Sequence, residues 1–373
     1  MMQEVIDIIS KQEKSEKYLL SGLDGFVDEI IHVVDKRIDS EHYERITTIS
    51  EFGQRIIQSA GLSTNLEFVT VQRKLGGNGP IFASGLQRLG MGVTYVGAVG
   101  VSVIDPVFRN FSEEVEMIGL CEPAQTEALE FLDGKLICSK LASFGVLTWQ
   151  RIVDIIGIER FAKLIDKSDV VSFNNWTMLT SMNECWKHIL KDVLPLTKTK
   201  LGGKTLFFDL ADPEKRPRKE LVSAVKLIEE FHEKGFRTVL GLNYKEAKQV
   251  GAVKGISEDI QELDEITTAL GKALDVDVLA VHQHKKAACY TNGHCVVQNV
   301  PYCEHPVLTT GAGDNFNAGF VYGYSHGMTS KQSLICGIAT AGYYVRNGHS
   351  ATKVDLCDFL RQWDSGAFDR SNV

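Results

Sequence analysis

The chain has 373 residues, 44% hydrophobic and 24% charged, enough for a large buried core in one domain or two at the composition of an ordinary globular protein. A formal net charge of −8 and a pI near 5.7 exclude a broad basic surface for nucleic acid but leave local anion sites open. No run approaches the ~18–20 apolar residues of a membrane span, and residues 1–16 lack the apolar stretch of a signal peptide. The eight cysteines are scattered without a CxxC pair, which reads as free thiols in a cytoplasmic protein.

Residues 17–23 are a short, mostly apolar run that reads as the first strand of a buried sheet. Asp24 and Asp28 follow where that strand would emerge, and residues 26–34 continue in β-branched and apolar types. Residues 41–60 carry apolar positions at helical spacing, and residues 68–75 read as another strand. Gly76-Gly77-Asn78-Gly79-Pro80 then leads into a helix over 81–89, with Pro80 suited to a first helical turn. Residues 93–99 are again strand-like. Residues 17–100 thus hold two core strands with a β-rich excursion between them. Strand character returns over 120–147, where 127–132 and 135–141 around Asp133-Gly134 read as a hairpin. Excursion and hairpin either build one small sheet outside the main one or pack on the core.

From residue 152 the pattern alternates. Helices over 158–166, 181–194, 220–234 and 260–274 lead into strands over 169–173, 205–210, 238–242 and 278–281. Repeated βα units with aliphatic strands imply an α/β fold whose central, mostly parallel sheet carries helices on both faces. Ligands of such sheets lie beyond the C-terminal strand ends. The residues there are Asp24 and Asp28, Asn174-Asn175-Trp176, Asp209 and Asp212, Asn243 to Glu246, and Gly311 to Asp314. Thr329 can cap a final apolar helix through 345, with Gly348 as its stop.

The most informative stretch is Thr309-Thr310-Gly311-Ala312-Gly313-Asp314-Asn315-Phe316-Asn317-Ala318-Gly319. Its glycines permit a tight turn whose N–H groups, with those of the following helix, converge on an anion. Asp314 on the rim is poorly placed beside a ground-state anion. It is well placed to take the proton of a hydroxyl that attacks phosphorus held in the hole. The local chemistry therefore suggests phosphoryl transfer, with Asp314 as base and Gly311, Ala312 and Gly313 as anion hole. The plain structural reading is a helix N-terminus entered by a tight turn.

Thr-Thr-Gly-Ala-Gly-Asp-x-Phe-x-Ala-Gly resembles the C-terminal signature of the PfkB, or ribokinase-like, carbohydrate kinases. Two further motifs follow that family's order. Asn243-Tyr244-Lys245-Glu246 resembles its Asn-x-x-Glu motif, which implies that Asn243 and Glu246 place the magnesium–phosphate assembly. Without the resemblance it is equally a helix cap with a capping-box Glu. Gly76, Gly77 and Asn78 resemble the Gly-Gly motif that closes on the sugar, although Ile81 stands where the family often has Asn. Asp24 and Asp28 both resemble the acidic position that accepts sugar hydroxyls, and the spacing leaves open which one does so. Leu308 replaces an Asp that in ribokinase-like members helps bind a monovalent cation, which puts potassium activation in doubt. His282-Gln283-His284-Lys285-Lys286 stands where Thr-x-Gly-x-x-Gly usually approaches the nucleotide. His282 and His284 have no third ligand to make a metal site, and no residue is assigned as a direct metal ligand.

The resemblance implies a single ribokinase-like domain over 1–373, with 24–76 and 119–148 contributing a β lid. It implies an ATP-dependent kinase that uses Mg2+ with ATP and phosphorylates a hydroxyl of a sugar or sugar derivative. The partners are ATP and a small sugar-like molecule, without nucleic acid or membrane. Lid strands have edges that could pair between subunits, which allows a homodimer. A nucleoside kinase shares every motif. Leu308, Ile81 and the His282 segment keep open a catalytically idle sugar- or nucleotide-binding protein. A dinucleotide oxidoreductase is disfavoured, because no Gly-x-Gly-x-x-Gly follows the first strand.

Overall fold

Two inner strands, Val170–Asn174 and Thr205–Asp209, are buried at every position, which a strand can be only when covered on both faces. The structure is a computed structural model that describes residues 1–11, 17–110 and 115–368. In chain order the helices are α1 (Met2–Ser10), α2 (Ile49–Gln58), α3 (Asn78–Arg88), α4 (Trp149–Ile155), α5 (Ile158–Lys167) and α6 (Met182–His188), then α7 (Arg218–Glu233), α8 (Tyr244–Val253), α9 (Leu263–Ala273), α10 (Ala312–Ser325), α11 (Ser330–Asn347) and α12 (Lys353–Asp364). The strands are β1 (Tyr18–Leu23), β2 (Phe26–Arg37), β3 (Tyr43–Arg45), β4 (Phe68–Gly76), β5 (Gly92–Gly97), β6 (Glu116–Gly119) and β7 (Ala124–Phe131), then β8 (Gly134–Lys140), β9 (Val170–Asn174), β10 (Thr205–Asp209), β11 (Arg237–Asn243), β12 (Val278–His282), β13 (Lys286–Thr291) and β14 (His294–Asn299).

A nine-stranded sheet runs β14-β13-β12-β11-β10-β9-β1-β5-β6, parallel from β12 to β6 with an antiparallel β13–β14 edge. Neighbouring residues of one strand enter opposite cores. Val171, Leu206, Phe208 and Leu240 join the helices α4 to α9, while Val170, Phe207 and Val239 face α1, α3 and α10 to α12. The two-residue period of a strand divides the core in this way. The fold is α/β with a mostly parallel central sheet and helices on both faces, as expected.

A second, five-stranded sheet stands beyond the C-terminal ends of β1 and β5. It runs β3-β2-β7-β8, with β4 also pairing β2. β2 runs antiparallel to β4 and parallel to β7. This sheet has its own small core of Ile31, Val33, Ile46, Phe52, Leu129 and Phe131.

Some local expectations are corrected. Residues 41–60 are not one helix: β3 comes first, and Thr48 then caps α2 through a box with Glu51. The hairpin turn falls on Leu132-Asp133 rather than Asp133-Gly134, because Phe131 pairs with Gly134. The Asp133 carboxylate accepts from the Ile49 N–H at 2.9 Å, which ties the turn to α2. Glu116–Gly119 is an edge strand of the large sheet, paired with β5. The helix cap that Asn243 and Glu246 allow is present and opens α8, the β13–β14 hairpin is an addition, and α11 is not final, because Thr352 caps α12 after it. Residues 12–16 of the N-terminal stretch lie outside the described residues. Among the described residues no helix is long and apolar enough to cross a membrane, and all eight cysteines are free.

Candidate active site

The chain leaves β1 at Asp24, re-enters strand at Phe26 and meets the Gly76–Gly79 turn that opens α3. Gly77 adopts φ 96°, a left-handed region that disfavours a side chain. A Cβ there would lie 2.8 Å from Asp24 Oδ2, and one on Gly76 would lie 2.3 Å from the Asp28 carboxyl carbon. The glycines let both carboxylates approach the turn, yet the two carboxylates differ. Asp24 is fully buried: Oδ1 accepts from Gly79 N–H at 3.0 Å and Tyr95 Oη at 3.3 Å, and Oδ2 accepts from Asn175 Nδ2 at 2.8 Å. Burial raises its pKa to about 6 against these bonds. Asp28 lines the pocket between the two sheets, where burial raises its pKa against the opposing effects of Lys74 and the Thr126 hydroxyl.

At the far side of the pocket, Gly311 takes φ 93° and turns the chain into α10. The turn is pinned by Ala312 N–H to Thr309 O at 3.1 Å and by the Tyr344 hydroxyl to Thr310 O at 2.8 Å. Asp314 stands in the first turn of α10, and Asn78 Nδ2 donates to its Oδ1 at 2.9 Å. That bond joins the Gly-Gly turn to the start of α10 across 236 residues of sequence. Burial pushes the Asp314 pKa up to about 8, with the Asp24 and Glu246 charges adding to it and the Asn78 bond opposing it. His282 lies against Gly313 and beside the Phe316 ring, with centroids 4.9 Å apart. Burial, then His284, lowers its pKa to about 4, so it is neutral near pH 7. The segment after it is a tight connection to β13, closed by Gln283 N–H to Lys286 O at 2.9 Å.

Asn243 and Glu246 form a capping box at the start of α8: Asn243 Oδ1 accepts from Glu246 N–H at 2.9 Å and Glu246 Oε2 from Asn243 N–H at 2.8 Å. The second Glu246 oxygen accepts from Asp212 N–H at 2.8 Å, drawing in the loop after β10. In that loop Asp209 is held by Ala211 N–H and Asn317 Nδ2, each at 2.9 Å. Burial first, then the Glu246 and Asp314 charges, raises Asp209 well above the ordinary carboxylate range, and burial likewise raises Glu246. Among the described residues no three His, Cys, Asp or Glu side chains converge to hold a metal directly. The Asp209, Glu246 and Asp314 carboxyls lie close enough to raise Asp209 and Asp314 further, a concentration of acidic oxygens that would suit the water shell of a small divalent cation.

The pocket thus joins Asp28, Gly77, Asn78, Asn175, Leu308 and Thr310 in one cleft. Asp24 lies beneath it, bonded to the lining residue Asn175, whereas Asn243 and Glu246 do not line it and are tied instead to the loop after β10. Trp176 is fully buried under Arg216, whose guanidinium lies 4.3 Å from the ring centroid, and belongs to the core. Tyr95, Thr126 and Lys74 escaped sequence reading. A lysine or threonine in an alternating strand looks solvated, and only pairing of β2 with β4 and β7 turns these two inward.

A carboxylate on a glycine-led helix N-terminus, facing a sugar-sized cleft beyond the parallel strands, defines a ribokinase-like carbohydrate kinase, an ATP-dependent enzyme. The model of the family described as prokaryotic ketohexokinase matches residues 10–363, and the chain belongs to that family. It is similar to a ketohexokinase of Haloferax volcanii, 28% identical over 354 residues that cover 94% of this chain and 92% of the relative. Among solved structures it is similar to a carbohydrate kinase from Agrobacterium tumefaciens, with TM-score 0.64 and 16% identity over 92% of this chain and 97% of that one. The ribokinase of Arabidopsis thaliana, solved with ribose and ATP, gives TM-score 0.62 at 16% identity over 93% of this chain and 99% of its own.

Proposed function

We propose that the chain phosphorylates a ketohexose, with Asp314 as general base, Asp28 as the acceptor of sugar hydroxyls, and Gly311, Ala312 and Gly313 as the anion hole. The observation that carries this is the Asn78–Asp314 bond of 2.9 Å, which sets the only sequence-predicted base against the turn that borders the sugar pocket. The sugar hydroxyl oxygen bonds to the γ-phosphorus of ATP while the bond from that phosphorus to the β–γ bridging oxygen breaks. The hydroxyl proton passes to an Asp314 oxygen, and ADP leaves with the bond's electron pair. N–H groups at the start of α10 face the charge that grows on the transferred group. Asp314 must be unprotonated to act, and its raised pKa makes it a stronger base than a solvated carboxylate. Magnesium bound with ATP neutralises phosphate charge. Glu246, Asn243 and Asp209 are the groups that would order its water shell. Gly76 and Gly77 keep backbone close to the sugar, and the smaller sheet acts as a lid over it, formed by parts of 24–76 and 119–148 within one kinase domain. We place the enzyme in the cytoplasm. The exposed edge residues Phe68 and Val71 on β4 and Ile137 on β8 support a homodimer through the lid.

The test is turnover of purified protein with magnesium and ATP on a panel of ketohexoses, aldohexoses, pentoses and nucleosides. Formation of a ketohexose phosphate is expected, and Asp314→Asn should remove it. Preference for a nucleoside or an aldose would overturn the substrate assignment.

A further inference from the structure

Lys74 stands directly opposite Asp28 in the β2–β4 ladder, and both side chains line the sugar pocket. Opposite charges facing across paired strands commonly close into a contact. Here they stay apart. Among the described residues Lys74 makes no hydrogen bond or ion pair, although the Asp28 charge favours its protonated form. Asp28 leans over Gly76 and takes the Thr126 hydroxyl. Lys74 is half-buried, burial lowers its pKa, and its ammonium has no protein acceptor among the described residues. A donor in that state is completed by ligand oxygens.

The charges of this wall bear on which ligand. Lys135, the second ammonium lining the pocket, is already paired with Glu130 at 2.8 Å. Asp28 balances Lys74. A phosphate or carboxylate placed here would meet the Asp28 carboxylate, whereas a hydroxyl can donate to Asp28 and accept from Lys74.

We propose that Asp28 and Lys74 form an acceptor–donor clamp on neighbouring hydroxyls of an uncharged acceptor sugar, which makes Lys74 a specificity-determining residue. The clamped hydroxyls are distinct from the one presented to Asp314. Thr126 holds Asp28 in place, and Lys74 stands opposite it in the ladder without an ion pair between them. This inference rests on the reading of the pocket as the sugar site.

Steady-state kinetics with magnesium and ATP test it. The substrates are D-fructose, its monodeoxy derivatives and D-fructose 6-phosphate; the proteins are wild type, Lys74→Met and Lys74→Gln, each checked for an unchanged melting transition. Loss of a charge-assisted bond should raise the Lys74→Met KM for fructose ~10- to 100-fold, with kcat moved less. On the deoxy derivative that lacks the clamped hydroxyl, wild type already carries this loss and Lys74→Met adds little. Lys74→Gln, which keeps a donor, recovers part of it. Equal loss on fructose and every deoxy derivative, or no loss, overturns the clamp while leaving the kinase reading intact. So does a wild type that prefers the sugar phosphate. If no ketohexose is phosphorylated, the ketohexose reading fails by itself, and the same comparison on whichever neutral sugar reacts decides the clamp. A protein that phosphorylates no neutral sugar overturns the clamp as well.

Discussion

The floor of the site and the wall that the smaller sheet adds to it are built from similar residues but use them in opposite ways. On the floor, Asp24, Asp209 and Glu246 are surrounded by protein donors, and both oxygens of each are taken. On the wall, Asp28 and Lys74 face each other across paired strands without touching. A carboxylate with a protein donor on each oxygen is fixed in geometry while keeping lone pairs for a further donor such as water. A group left incomplete in a desolvated place is prepared for a ligand. Asp314 lies between the two cases, with one oxygen held by Asn78 and its charge opposed by burial and by the floor carboxylates.

The sharpest way to break that contrast is Asp314→Asn. Removing a general base typically costs ~10²- to 10⁴-fold in rate, so kcat should fall by that order while sugar and ATP still bind. The wild-type acid limb should lie above the ordinary carboxylate range, because activity is lost as pH falls through a raised pKa; the limb should vanish in the variant. Stability should move the other way. A carboxyl with folded pKa above its unfolded value stabilises below the unfolded pKa, and that contribution is lost as pH rises through the folded pKa. At pH above the folded value, Asp314→Asn should therefore melt higher than wild type. Near-normal turnover, or a lower melting point with lost binding, would make Asp314 structural.

Next comes the pair Asp24 and Asp28. Asp28→Ala should raise the sugar KM by ~10- to 100-fold with the fold intact. Asp24→Ala should show first in thermal unfolding, because the Gly79 N–H and Asn175 amide lose their partners at ~1–3 kcal/mol each. Equal effects of both on sugar KM would erase the distinction between floor and wall. A smaller change is expected from Glu246→Gln, which keeps one acceptor oxygen for the cap but lowers the charge that orders magnesium's water. The magnesium concentration for half-maximal activity should rise by ~10-fold, as for other outer-shell partners, and an unmoved titration would reduce Glu246 to a helix cap. The smallest effect concerns monovalent cations. With Leu308 in place of the family Asp, activity in sodium and potassium buffers should differ little, and strong potassium activation would require another cation site.

The order of the elements was legible in the chain because local rules govern it. Aliphatic runs gave the inner strands, Gly311 and Gly313 marked the turn into α10, and Thr329 marked the cap of α11. The β13–β14 edge and α8 were less legible: His294–Asn299 is mostly exposed and alternates only weakly, and α8 begins within a motif read for its chemistry. Of the two readings of Asn243 and Glu246 the structure shows the helix cap, and the same capping box fixes the Glu246 side chain beside the loop after β10.

By itself the sequence determined a parallel α/β sheet, a helix N-terminus fit for an anion, and a carboxylate at its mouth. These follow from spacing along one strand or one turn, where near neighbours in the chain are near neighbours in space. Which of Asp24 and Asp28 meets the ligand could not be read that way, because both follow β1 and both are carboxylates. Tertiary structure decided how the two differ, through partners distant in sequence: Gly79, Tyr95 and Asn175 close around Asp24, while β4 and β7 place Lys74 and Thr126 beside Asp28. A side chain's role here depends on which of its bonds the fold has already made, and those bonds are set by strand register and chain crossing.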